Sequence, residues 1–172
     1  MGKILLPRKF VPENCVPGDE VEVFIYLDSE DRLIATTMQP KAMVGDFAFL
    51  KVVSVSRIGA FLDWGLPKDL FVPFREQQPK MQEDNSYIVY IYIDEKTGRI
   101  AASSRIKKFL NKSPVKYKPM QRVKLLVCNE TSLGFNVIIN NSHSGLIFSK
   151  DIFQPLETGQ RIKGYIKKIR PD

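Results

Sequence analysis

A segment that occurs twice constrains this chain more than any other feature. Residues 25–35 read IYLDSEDRLIA and residues 91–101 read IYIDEKTGRIA, an offset of 66. Small residues follow each copy: Thr36 and Thr37 in one, Ala102 and Ser103 in the other. An apolar, aromatic run, a polar turn and a second apolar run make a β-hairpin. Repetition at this spacing makes an array of small domains. A second correspondence sets Pro155 to Ile169 against Pro79 to Ile93 at an offset of 76, and Pro12 to Leu27 carries the same stretch. The repeats divide the chain at 1–44, 45–112 and 113–172. Only the middle unit has both an opening and a closing hairpin. The first is expected to lack its opening strands and the third its last strand, as in a piece cut from a longer array.

Other signals agree with an all-β chain. Phe47 to Arg57, Tyr87 to Ile93, Val123 to Cys128 and Phe135 to Ile139 are rich in β-branched and aromatic residues. Turn signals separate them at Pro17-Gly18, Gly65 to Lys68, Thr97-Gly98, Asn140-Asn141 and Thr158-Gly159. Short strands at such intervals predict barrels or sandwiches rather than βαβ units. Phe74 to Glu83 and Lys150 to Phe153 have room for a short helix or 3₁₀ turn. Lys107 to Lys118, with its Lys, Ser and Pro, reads as a linker.

Net charge is +7, unevenly placed. Residues 1–102 carry 12 Lys and Arg against 15 Asp and Glu, whereas residues 103–172 carry 14 against 4. The balances are −3 and +10. A basic half suggests a polyanion partner or a solvated cationic surface. No apolar run approaches the ~20 residues of a membrane-spanning helix, and the first residues, MGKILLPRKF, show no export signal. Cys15 and Cys128 lie far apart without metal-ligand spacing, which predicts two free, buried thiols in a cytoplasmic protein.

The phrases GAFLDWGLPKDLFVPF, YIDEKTGRIAASS and GQRIKGYIKKIRPD resemble the conserved virulence factor B family, whose chains carry tandem S1 domains. The S1 pattern sets Gly-Ala-Phe on a second strand and an Asp-turn-Gly-Arg-Ile hairpin between the last two strands. Here these are Gly59-Ala60-Phe61 and Asp94 with Gly98-Arg99-Ile100. The resemblance implies tandem five-stranded OB-fold barrels, of which the repeat register leaves the terminal units incomplete. It also implies RNA binding, and in the family a winged-helix domain follows the S1 units.

Strand alternation locates candidate contacts. Across Ala60 to Trp64 the trio Ala60, Leu62 and Trp64 belongs inside. Phe61 then shares the outer face with Asp63. On the strand 2–3 face of an OB barrel, Phe61 is either a stacking ring for a base or a ring packed under a loop or against the next unit. Arg99, and Arg32 in the first copy, stand at the hairpin position from which S1 domains contact the backbone. Asp28 and Asp94 initiate turns. Arg57, Phe71 and Phe74 lie near the same face. S1 domains commonly carry a third-strand His, but Pro73, Pro7 and Phe148 stand there. In the third unit Gly134-Phe135-Asn136 leaves Asn136 at the ring position. Phe148 and Tyr117, with the cations Lys163, Lys167, Lys168 and Arg170, offer compensation. Lys163, Tyr165 and Lys167 share one strand face, which suits single-stranded RNA or protects a sheet edge.

Catalysis has little support. The one histidine, His143, lies in NNSHSG and reads as a turn residue. It lacks metal partners and an oriented nucleophile. No P-loop or GxGxxG is present, and no cofactor or small-molecule substrate is implied. The expected function is non-enzymatic binding of single-stranded RNA in post-transcriptional gene regulation. The alternative is an OB-barrel scaffold that docks ribosomal or other regulatory proteins.

Overall fold

A computed structural model describes residues 2–170. Among these residues the chain forms eleven β-strands and four 3₁₀ turns, with no α-helix. No helix is long and apolar enough to cross a membrane. The chain divides into two compact units, parted between Ser104 and Arg105.

The first unit begins with a hairpin, β1 (Phe24–Leu27) and β2 (Leu33–Thr36). Five strands then close a barrel: β3 (Phe47–Val55), β4 (Gly59–Asp63), β5 (Leu70–Pro73), β6 (Ser86–Ile93) and β7 (Ile100–Ser103). Their order is β3-β4-β5-β7-β6, closed by the parallel pairing of Phe71 in β5 with Ala101 in β7. Alternation builds the interior. Ala48, Leu50 and Val52 of β3 meet Ala60 and Leu62 of β4, Leu70 and Val72 of β5, Val89 and Ile91 of β6 and Ala102 of β7. A five-stranded barrel has room for these side chains and little else. Trp64 caps this core, donating Nε1–H to the Lys68 carbonyl at 2.7 Å and meeting Phe24 of the hairpin edge-on at 5.6 Å.

The second unit holds β8 (Arg122–Thr131), β9 (Gly134–Ile139), β10 (His143–Phe148) and β11 (Arg161–Tyr165), in the order β10-β9-β8-β11. They repeat β3 to β6 at an offset of 75. Lys51 faces Ser86 as Leu126 faces Arg161. Phe61 faces Phe71 as Asn136 faces Leu146. Bulges fall at Val52/Ser54 and Val127/Asn129. Gly59 and Gly134 are needed for the same reason: a Cβ would lie 2.3 Å from the Val72 carbonyl oxygen and 1.9 Å from that of Ile147. Among the described residues no strand of this unit takes the place of β7.

The structure corrects the repeat offsets. The closing segment aligns at 75, not 76, because Gly159 (φ 88°) makes the left-handed step that Asp84 (φ 64°) makes. In the hairpin repeat the offset is 66 before the turn and 67 after it. Ile25 faces Ala35, but Ile91 faces Ala102, so the second turn holds one residue more. Left-handed residues mark the shift, Asp31 (φ 61°) in one turn and Gly98 (φ 66°) in the other. With that step, the parallel bridge between Leu5 and Ile34 matches Phe71 and Ala101.

Three further expectations change. His143 is not a turn residue. It opens β10 and is buried, with Tyr117 Oη at 2.9 Å from Nδ1 and the Ser113 carbonyl at 2.8 Å from Nε2. The expected linker is partly built into the second unit. Ile106–Phe109 form a 3₁₀ turn, Leu110 is buried, and Asn111 bonds Ser142 and Ser144. Of the two free cysteines only Cys128 is buried, and burial pushes its thiol up to about 11; Cys15 is half-buried.

Candidate nucleic-acid interface

The outer faces of β4 and β5 carry two aromatic rings in register. Phe61 stands directly opposite Phe71, with ring centroids 5.2 Å apart and planes tilted by 39°. Both rings are half-buried, each covering part of the other. Phe61 is therefore on the outer face, as alternation requires, but it is not a lone exposed ring. Opposite them, Ala60, Leu62 and Trp64 fill the interior.

Register extends this row. Phe71 faces Ala101, and Ala101 faces Tyr92 of β6. Phe61, Phe71, Ala101 and Tyr92 thus lie side by side across four adjacent strands. Ala101, between the two aromatic positions, is buried at 4% exposure. Burial first, then the Glu76 and Asp94 carboxylates, pushes the Tyr92 phenol above its ordinary value, while Arg75 opposes them. Arg75 and Asp94 themselves pair at 3.7 Å. Sequence reasoning missed Tyr92, although its signal was present: in YIVYIYI, Val89 and Ile91 point inward, so Tyr90 and Tyr92 point out.

Other candidates border the row. Phe74 begins the 3₁₀ turn Phe74–Glu76, is 36% exposed and holds Lys80 Nζ 5.5 Å from its ring centre. Arg57 is exposed in the β3–β4 turn with no ion-pair partner among the described residues. Pro73 ends β5 opposite Gly59 and opens this 3₁₀ turn. Phe148 likewise ends β10 opposite Gly134 and opens Ser149–Asp151, and Pro7 opens Arg8–Phe10.

The two hairpin arginines are engaged by carboxylates. Arg99 donates to Asp31, a bond that holds its guanidinium above the ordinary value. Arg32 contacts Asp28 at 2.9 Å and Glu30 at 3.0 Å. Asp28 and Asp94 also accept backbone bonds within their own turns, as turn initiators do. Lys68 Nζ donates to the Leu27 and Asp28 carbonyls at 2.8 Å each. Burial, then the Arg99 charge, holds its ammonium below the ordinary value.

The second unit presents different chemistry. Asn136 and Leu146 occupy the positions of Phe61 and Phe71, and Asn136 donates to Asn129 Oδ1 at 3.3 Å. Phe135 turns inward on the core. Phe148 lies 5.6 Å from the Arg170 guanidinium. Lys163 and Tyr165 share the exposed face of β11, as expected. Lys167 lies past the strand end and pairs with Asp151 at 2.9 Å. No group of three or more His, Cys, Asp or Glu among the described residues could hold a metal ion.

The family model described as an S1 domain matches residues 1–38. Relatives include the Bacillus subtilis (strain 168) protein described as "Uncharacterized protein YitL", 39% identical over 77 residues, covering 44% of this chain and 26% of that protein. "Conserved virulence factor B" of Staphylococcus aureus (strain N315) is 34% identical over 95 residues, covering 51% and 31%. The Staphylococcus epidermidis protein of the same name is 36% identical over 66 residues, covering 38% and 22%. The chain thus matches a third or less of each relative's length. A solved structure, a multidomain protein with nucleic acid binding domains from Streptococcus pneumoniae, shares the fold at a TM-score of 0.51 and 20% identity, covering 97% of this chain and 61% of that one. The chain is thus similar to conserved virulence factor B proteins over about half of its length, and its first 38 residues match an S1 domain.

Proposed function

We propose that this chain binds nucleic acid, and specifically single-stranded RNA, on the outer face of β4 and β5. The observation that carries the proposal is the register-matched pair Phe61 and Phe71 on an OB barrel face. Proteins that bind single strands use aromatic platforms on which bases stack, worth ~1–3 kcal/mol per base. Tyr92, across Ala101, lengthens the platform, while Phe74 and Arg57 border it. We read the chain as three S1-like units, 1–44, 45–112 and 113–172, that act without catalysis in cytoplasmic gene regulation.

A second reading rests on the second unit. Asn136 and Leu146 replace the ring pair there, so its β9–β10 face suits protein docking, with ribosomal proteins among the candidate partners.

The test is a fluorescence titration of labelled single-stranded RNA at low and moderate salt. Saturable binding at low micromolar protein is expected. Phe61→Ala should weaken it by roughly 5- to 150-fold, the range that one lost stacking contact spans, with little change in melting temperature. No binding at low salt overturns the proposal. Unchanged affinity with a large loss of stability reassigns Phe61 to packing.

A further inference from the structure

The outer face of the β8–β11 ladder collects cations in register. Val123, Leu125 and Val127 of β8 and Ile162 of β11 face the interior. Arg122 and Lys124 of β8 therefore share the opposite face with Arg161, Lys163 and Tyr165 of β11. Antiparallel register sets Lys163 directly opposite Lys124, and Tyr165 opposite Arg122. Like charges directly opposite each other destabilise a sheet. Arg122, Lys124 and Lys163 are exposed and have no ion-pair partner among the described residues. Tyr165 is 62% exposed.

The fold does not require this arrangement. At the same four positions of the first unit, 75 residues earlier, stand Phe47, Phe49, Ile88 and Tyr90, in the same register. There the face is apolar: Phe47 is 1% exposed and lies 4.8 Å from the Tyr90 ring. The second unit has an open cationic face where the first has an apolar one that is buried at Phe47 and Ile88 and exposed at Phe49, and like charges set opposite one another disfavour the ladder.

We propose that this face is a second binding surface, for the phosphate backbone of single-stranded nucleic acid. Arg122, Lys124 and Lys163 hold phosphates and Tyr165 stacks a base. Alternate residues along a strand stand about 6.6–6.8 Å apart, close to the phosphate-to-phosphate step of an extended strand. The surface lies on the strands equivalent to β3 and β6, not on those equivalent to β4 and β5. It shares the nucleic-acid reading above but does not depend on Phe61.

The experiment uses the whole chain and a labelled oligouridine of about ten nucleotides, within the ~4–16 that one OB fold covers. Affinity is measured between 50 and 200 mM salt for the wild type, Lys124→Ala/Lys163→Ala, Tyr165→Ala, Tyr165→Phe and Phe61→Ala. Each lost phosphate contact lowers the slope of log K against log salt by about 0.7. The double lysine variant should lose about 1.4 of that slope, so its deficit should shrink about sevenfold over this range. It should melt no lower than wild type, because a like-charge opposition is gone. Lys163→Glu, which creates a Lys–Glu pair across the ladder, should also melt no lower and bind more weakly. Tyr165→Phe should bind as wild type, and Tyr165→Ala should not. An unchanged slope in a folded double lysine variant overturns the proposal, whatever Phe61→Ala does. Full affinity in Phe61→Ala, with slope lost in the lysine variant, overturns the barrel-face reading and supports this one.

Discussion

The two units use one scaffold with opposite surfaces. Val52 and Val127 sit at equivalent bulges, both with no exposed surface, and Gly59 and Gly134 permit equivalent close approaches. The outer faces diverge. One unit carries the ring pair Phe61 and Phe71 where the other has Asn136 and Leu146. One buries Phe47 where the other exposes Arg122. Interior residues and backbone contacts set the barrel, and the faces are free to take up different chemistry. On the reading proposed above, the first unit supplies mainly stacking rings and the second mainly phosphate contacts, which a single-strand site usually combines.

The largest effects should come from the shared backbone features. Gly134→Ala puts a Cβ against the Ile147 carbonyl, and Gly59→Ala puts one against that of Val72. Neither carbonyl can retreat without breaking the ladder to the neighbouring strand. Each variant should lose about 3 kcal/mol or more, at the upper end of single-residue effects, read by denaturant titration. Tolerance at one glycine and not the other would break the equivalence of the units. Leu62→Ala, in the closed barrel core, should cost about 2–5 kcal/mol in the same measurement.

A smaller effect should separate the faces. Tyr92→Ala should weaken RNA binding by up to the roughly 5–150-fold range of one stacking contact. Asn136→Ala, at the second unit's ring position, should change affinity by less than twofold. Equal losses would show that both faces bind alike.

Much of this was legible in the sequence because alternation and turn chemistry are local. Ala60, Leu62 and Trp64 could be placed inside from parity alone, and Lys163 and Tyr165 on one exposed face. Cross-strand neighbours were not legible. That Phe61 meets Phe71, that Ala101 joins Phe71 to Tyr92, and that Lys163 meets Lys124 all depend on register. A single residue changes register, as the offsets of 66 and 67 on either side of one turn show. His143 was misread for a related reason. The Asn and Ser around it signal a turn, but Tyr117 and Ser113, distant in sequence, supply the partners that bury it.

The smallest effect tests why Arg99 is less available than its hairpin position suggests. In the first unit the Asp31 carboxylate accepts from its guanidinium, and both side chains are about half exposed. An incoming phosphate must displace that carboxylate. Exposed ion pairs of this kind contribute little, so the contact lowers affinity by at most about fivefold. Asp31→Asn removes the charge and keeps the turn, since Asn tolerates the left-handed conformation that Asp31 adopts at φ 61°. The variant should bind single-stranded RNA up to about fivefold more tightly at low salt. Its salt slope should steepen by about 0.7, for one added phosphate contact. Arg99→Ala combined with Asp31→Asn should cancel the gain. A gain that survives without Arg99 would mean that Asp31 repels the strand directly, and Arg99 would then leave the list of contacts.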